Sequence, residues 1–172
     1  MMWRWLFLVM VGMLAGIWEI AILPFLPSGL GVRPLLPIAV LLLVSGARSR
    51  AFSGLIAGAL VLDAYKWAYF DVATLRLVVV FMLLDVIAQR FLTNRSVYAT
   101  IVLAVIARGL DWLSSFILAL VSGLMDSARY PWQLPVDAGW IILWDIVLVG
   151  MGFLLIASFT RRFATTGRVS DF

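Results

Sequence analysis

Six ionisable side chains stand inside otherwise apolar stretches: Glu19, Asp63, Asp85, Arg108, Asp111 and Asp145. Groups of this kind relay protons, bind ions or solutes, or simply pair with one another. Most catalytic chemistries lack a part. The chain has no histidine and no cysteine, which removes imidazole acid–base catalysis, thiolate chemistry, disulfides and the common zinc sites. Ser114 and Ser115 follow Asp111, but that segment offers no His or Lys as a base for either hydroxyl. No paired-aspartate motif is present. A proton relay needs titratable groups leading from one side of a membrane to the other, and these carboxylates gather toward one side. The sequence therefore predicts no catalysis, no cofactor and no metal.

The elements that carry these groups are very apolar. Of 172 residues, 65% are hydrophobic and 13% charged, and the mean hydropathy is +1.11. A soluble domain is nearer half apolar and a quarter charged. Too little polar surface remains to cover a water-facing exterior, so the surrounding medium is expected to be lipid. The expected fold is a single all-α domain, a polytopic membrane bundle of six transmembrane helices. About 20 apolar residues are needed to cross. The segments run about 5–26, 34–46, 51–65, 72–88, 97–122 and 137–160. Pro24 and Pro27 close the first. Pro34 opens the second, which is short and holds Pro37 in its first turns. The N-terminal run is longer than a signal sequence's apolar region, carries Glu19 and lacks an A-x-A-like site, so it reads as a retained helix. There is no internal repeat and no segment large enough to fold outside the membrane.

Basic residues set the orientation. With the N-terminus in the cytoplasm, the inner segments hold Arg4, Arg48, Arg50, Arg90, Arg95, Arg161, Arg162 and Arg168. The outer ones hold Arg33, Lys66, Arg76 and Arg129. Eight against four predicts N-in and C-in. Trp3 and Trp5, then Trp132 and Trp140, suit aromatic belts at opposite interfaces. With that orientation Glu19, Asp63, Asp111 and Asp145 fall toward the outer leaflet, and Asp85 alone toward the cytoplasm. The net charge of +4 reads as loop placement, not as a nucleic-acid surface.

A charge at the bilayer centre costs about 2.5–3.5 kcal/mol on insertion scales, so such residues are expected to face inward and pair. Arg108 and Asp111 are three apart and share a helix face, together with Ala104, Ser115, Ala119 and Ser122. Ile101, Val105, Phe116 and Leu120 lie opposite. Which acid Arg108 meets is open between Asp111, Asp85 and Asp63. Gly54 and Gly58 form a G-x-x-x-G, which serves either internal helix packing or partner docking.

The stretch from Pro24 to Arg95 resembles the rod-shape-determining MreD family. The matching features are Pro34 leading the second helix, Arg48 and Arg50 in a basic turn, then Gly54 and Gly58 on a helix ending in Asp63. The resemblance implies a non-catalytic membrane scaffold of the bacterial cell-elongation machinery, in the cytoplasmic membrane. It would dock an MreC-like bitopic protein and the peptidoglycan polymerase–transpeptidase pair, with homo-oligomers left open. The docking surface is expected on the Gly54–Gly58 face with the loops Lys66 to Asp71 and Met125 to Gln133. That family is similar in fold to the substrate-binding S-components of energy-coupling-factor transporters. The alternative is therefore a solute-binding subunit with an outward cavity lined by Glu19, Asp111 and Asp145. The scarcity of Asn, Gln and Tyr speaks against it.

Overall fold

The computed structural model describes residues 2–25, 33–65, 73–91, 96–124 and 137–166. Six α-helices appear in that range, with no strand among the described residues: α1 Met2–Ala21, α2 Leu35–Val44, α3 Arg48–Tyr65, α4 Ala73–Phe91, α5 Val97–Leu124 and α6 Ala138–Thr166. The loops expected to help dock partners, Lys66 to Asp71 and Met125 to Gln133, lie outside the described residues.

Helix ends follow local chemistry. α1 stops at Ala21, short of the expected Leu26, and a 3-10 turn follows at Leu23–Phe25. Pro24 has no N–H to donate to the helix, so it cannot continue the ladder. Pro37 is harmless because it lies in the first turn of α2, where N–H groups have no intrahelical partner. The first bond of that helix runs from the Ile38 N–H to the Pro34 carbonyl at 3.0 Å. α2 ends in a Schellman motif. Gly46 takes φ 86°, its N–H donates to the Leu43 carbonyl at 3.1 Å, and the Ala47 N–H donates to the Leu42 carbonyl at 3.1 Å. Only glycine adopts that φ cheaply. The reversal is so tight that α3 starts at Arg48. Arg48 and Arg50 therefore sit in the first turn of a helix, not in the basic turn that was expected. α4 likewise runs three residues past Ala88 and takes in Gln89 and Arg90, and α6 takes in Arg161 and Arg162.

The short α2 is the hub. It packs against α1, α3, α5 and α6. Its sequence, LLPIAVLLLV, is apolar all round, as a helix covered on most sides must be, and Leu35, Leu36, Ala39, Val40 and Leu43 are buried. Other helices bury one stripe each. On α6 the stripe is Ile141, Asp145 and Val149; on α4 it is Leu77, Val80, Phe81 and Leu84. Phe81 meets Phe52 of α3 with ring centroids 5.5 Å apart.

The outside is apolar and part of the inside is ionic. Exposed side chains include Phe7, Met10 and Leu14 on α1, Val79 and Met82 on α4, Phe116 and Leu120 on α5, and Leu154 and Leu155 on α6. Arg108, Asp111 and Asp145 are only 2%, 5% and 1% exposed. Two stretches among the described residues are long and apolar enough to cross a membrane, Val97–Val121 and Ala138–Ser158. Trp5–Ala21 and Leu35–Val44 are apolar but shorter. The 10 residues of α2 span about 15 Å at 1.5 Å per residue, half of a hydrocarbon core of about 30 Å. Six uniform crossings are therefore not what length and apolarity give. The shortfall is physical: α2 is short, and α3 and α4 carry charge in their outer turns.

Candidate functional site

Three helices deliver the ionic cluster. Arg108 lies on the buried stripe of α5 with Ala104, Ala107 and Asp111. Its guanidinium makes a fork with Asp145 of α6: Nε to Oδ2 at 2.7 Å and NH2 to Oδ1 at 3.0 Å. This two-bond geometry is the strong form of an arginine–carboxylate contact. Asp145 is therefore its main partner, and it was not one of the three acids considered from sequence. Asp111 lies 3.5 Å from Arg108 along the helix face, the i,i+3 approach that the spacing allowed. The nearer cation to Asp111 is Arg76 of α4, Nε to Oδ1 at 3.0 Å. The NH2 of Arg108 also donates, at 3.5 Å, to the carbonyl of Arg33.

Arg76 was missed. It was counted only among the outer basic residues that set the orientation, yet its side chain on α4 is 12% exposed and paired with Asp111. Its signal was arithmetic: Glu19, Asp111 and Asp145 outnumber Arg108, and a closed apolar site demands more cations.

Glu19 and Asp63 have a different role. Each caps a helix that is not its own. Glu19 Oε1 accepts the N–H of Leu35, the first residue of α2, at 3.2 Å. Asp63 accepts the N–H groups of Ala73 and Thr74, the first two residues of α4, at 2.6 and 3.0 Å. These amides have no partner within their own helices, and the positive end of the helix dipole favours a carboxylate there. Acids gather at this end partly because α2 and α4 begin there. Asp63 thus stands outside the Arg108 network.

Asp85 stands apart too, at the opposite end of α3 and α4. It pairs with Arg48 at 3.4 Å and accepts from Gln89 Nε2 at 2.6 Å. Both sides are partly exposed, the side chains at 56% for Arg48 and 26% for Asp85.

The space enclosed by the cluster is small. Glu19, Arg33, Arg76, Arg108 and Asp111 border a cavity of about 20 Å³. One water needs at least about 10–15 Å³ on this measure, and small-molecule pockets occupy about 300–1,000 Å³. Ser114 and Ser115 donate their hydroxyls to the Asp111 carbonyl at 2.8 and 2.9 Å. Neither is aimed at the Asp111 carboxylate as an activated nucleophile would be. No group of three acids among the described residues comes together for a metal.

Gly54 and Gly58 face inward onto α1. They meet Gly12 and Gly16 in parallel register, 12 opposite 54 and 16 opposite 58. A Cβ on Gly12 would collide with the Gly54 carbonyl, and one on Gly16 would lie 2.6 Å from the Gly58 oxygen. α1 and α3 share the most extensive helix contact among the described residues. The glycine face is therefore filled by the chain itself, which corrects the expectation that Gly54 and Gly58 help to dock a partner. Gly12 and Gly16 carry the same four-residue spacing and were legible in the sequence. No family model, curated protein or solved structure matches the chain.

Proposed function

We propose that the chain is a membrane-embedded helical scaffold that positions other proteins and performs no reaction. The observation that carries this reading is the inside-out distribution of polarity. Arg108, Asp111 and Asp145 are buried and paired, while large apolar residues cover the outer faces of α1, α4, α5 and α6. In water that exterior would be a continuous aggregation surface. In lipid it is ordinary, and inward-facing paired charges are what lipid demands. α1 and α3 run parallel, and α3 and α4 antiparallel, as consecutive crossings require. The short α2 is shielded from lipid by its neighbours, which makes its length tolerable. The excess of arginine on the cytoplasmic side supports N-in and C-in.

The role in bacterial cell elongation, with an MreC-like protein and the peptidoglycan polymerase–transpeptidase pair as partners, rests on the resemblance of the stretch from Pro24 to Arg95. A cavity of about 20 Å³ weighs against the solute-binding alternative. Depletion in the source bacterium should abolish rod shape, and the tagged chain should co-purify with the MreC-like protein. Normal shape and empty pull-downs would remove the cell-elongation role and leave the membrane bundle standing. Single cysteines can be introduced freely because the chain has none. Labelling at Ser49 from the cytoplasmic side and at Asp137 from the outside is expected; the reverse pattern contradicts the orientation.

A further inference from the structure

At the end of the molecule opposite the ionic cluster, α1 and α3 border an open depression. Trp3, Phe7 and Leu8 of α1 form its walls, and Arg50 of α3 stands at its edge. Its volume is about 440 Å³, against about 20 Å³ for the cavity in the ionic cluster. The tight α1–α3 seam begins where Leu8 faces Gly54 and closes at Gly12, so the opening lies just beyond the seam. Trp3 is 82% exposed, although it is a large aromatic at the mouth of an apolar cleft.

The charges at this end do not balance. Among the described residues, Arg48, Arg50 and Arg90 lie toward this end with one acid, Asp85, which is already engaged by Arg48 and Gln89. Arg50 has no acidic partner among the described residues; its backbone carbonyl accepts from the Ser53 hydroxyl at 3.1 Å. A cation beside apolar walls and an interfacial tryptophan complements one kind of molecule, an anion carrying hydrocarbon.

We propose that this depression seats an anionic phospholipid of the cytoplasmic leaflet. The phosphate pairs with Arg50 and an acyl chain lies along Trp3, Phe7 and Leu8. The inference rests on the membrane reading above and adds a selective lipid to it. Arginine offers a planar fork of donors to a phosphate, and basic surfaces at the cytoplasmic face attract anionic headgroups. The occupant wedges the ends of α1 and α3 beyond their glycine contact, so it should stabilise the fold.

The test uses the full chain in a zwitterionic detergent, with thermal unfolding followed as lipid is titrated. Phosphatidylglycerol should raise Tm. Phosphatidylcholine and inorganic phosphate at the same concentrations should not. Arg50→Gln should weaken the apparent affinity for phosphatidylglycerol about fivefold, the effect of one surface arginine, without changing Tm in the absence of lipid. Trp3→Ala should weaken it as well, and Arg90→Gln should leave it nearly unchanged. Equal responses of wild type and Arg50→Gln would overturn the proposal. So would an equal shift with phosphatidylcholine, the full shift with phosphate alone, or protection only by an apolar helical peptide, which would assign the cleft to a partner. Resistance of the chain to alkaline carbonate extraction tests the membrane reading separately. A chain that resists extraction but shows no lipid selectivity fails this inference alone.

Discussion

The contact between α5 and α6 and the contact between α1 and α3 solve the same problem by opposite means. On the membrane reading proposed above, both must hold helices together in surroundings as apolar as the helices themselves, so burial of apolar surface gives little drive. α5 and α6 use a charged fork, Arg108 to Asp145, supported by Asp111 and Arg76. α1 and α3 use four glycines and bring backbone against backbone. The first contact is specific in chemistry and tolerant in distance. The second is specific in distance and has almost no chemistry. A bundle built with both has one helix pair fixed in register by charge and another fixed by shape.

Substitutions separate the two. Asp145→Ala should have the largest effect, a loss of about 3–5 kcal/mol, because it strands Arg108 in the interior without its partner. The measurement is unfolding in detergent or lipid, and an effect under 1 kcal/mol would mean that the guanidinium finds another anion. Gly12→Leu comes next. Overpacking costs about 1–3 kcal/mol and occasionally more, and here the obstacle is the Gly54 backbone, which cannot rotate away. Gly109→Leu, where a Cβ meets nothing within 4 Å, is the matched control and should be nearly neutral. Equal effects of the two would erase the distinction between seam and open surface.

Asp63→Ala should cost about 1–2 kcal/mol, the value of a helix N-cap, and hydrogen exchange should quicken first at the start of α4. The smallest effect belongs to Arg48→Gln. Its pair with Asp85 is partly exposed, and such pairs contribute about 0–1 kcal/mol. A large loss there would show that the Arg48 end of the bundle is as closed as the Arg108 end.

Much of this architecture was legible in the sequence, and the misreadings have definite causes. Apolar runs gave six helices in order because hydropathy is a property of the segment alone. Their ends were displaced wherever a single residue decided them: Pro24 stopped α1 early, and Gly46 let α3 begin at Arg48. The i,i+3 pair of Arg108 and Asp111 could be foreseen because both lie on one helix. The Arg108–Asp145 fork could not, since it depends on how α5 and α6 are rotated against each other. Glu19 and Asp63 were recognised as unusual, but their capping was not foreseen, and Asp63 was misassigned to the Arg108 network. Their targets are backbone N–H groups of other helices, which no side-chain pattern advertises. The Gly54–Gly58 motif was seen without its counterpart on α1, although Gly12 and Gly16 show the same spacing.

A double-mutant cycle on Arg108→Gln and Asp145→Asn, read as unfolding free energy in lipid, addresses the pairing of interior charges most directly. Polar contacts between membrane helices couple by about 0.6 kcal/mol on average and about 1.7 at most. The fork described here predicts a coupling above 2 kcal/mol, with the double mutant more stable than either single one. A coupling within the ordinary average would contradict the claim that these charges are held in the interior by each other.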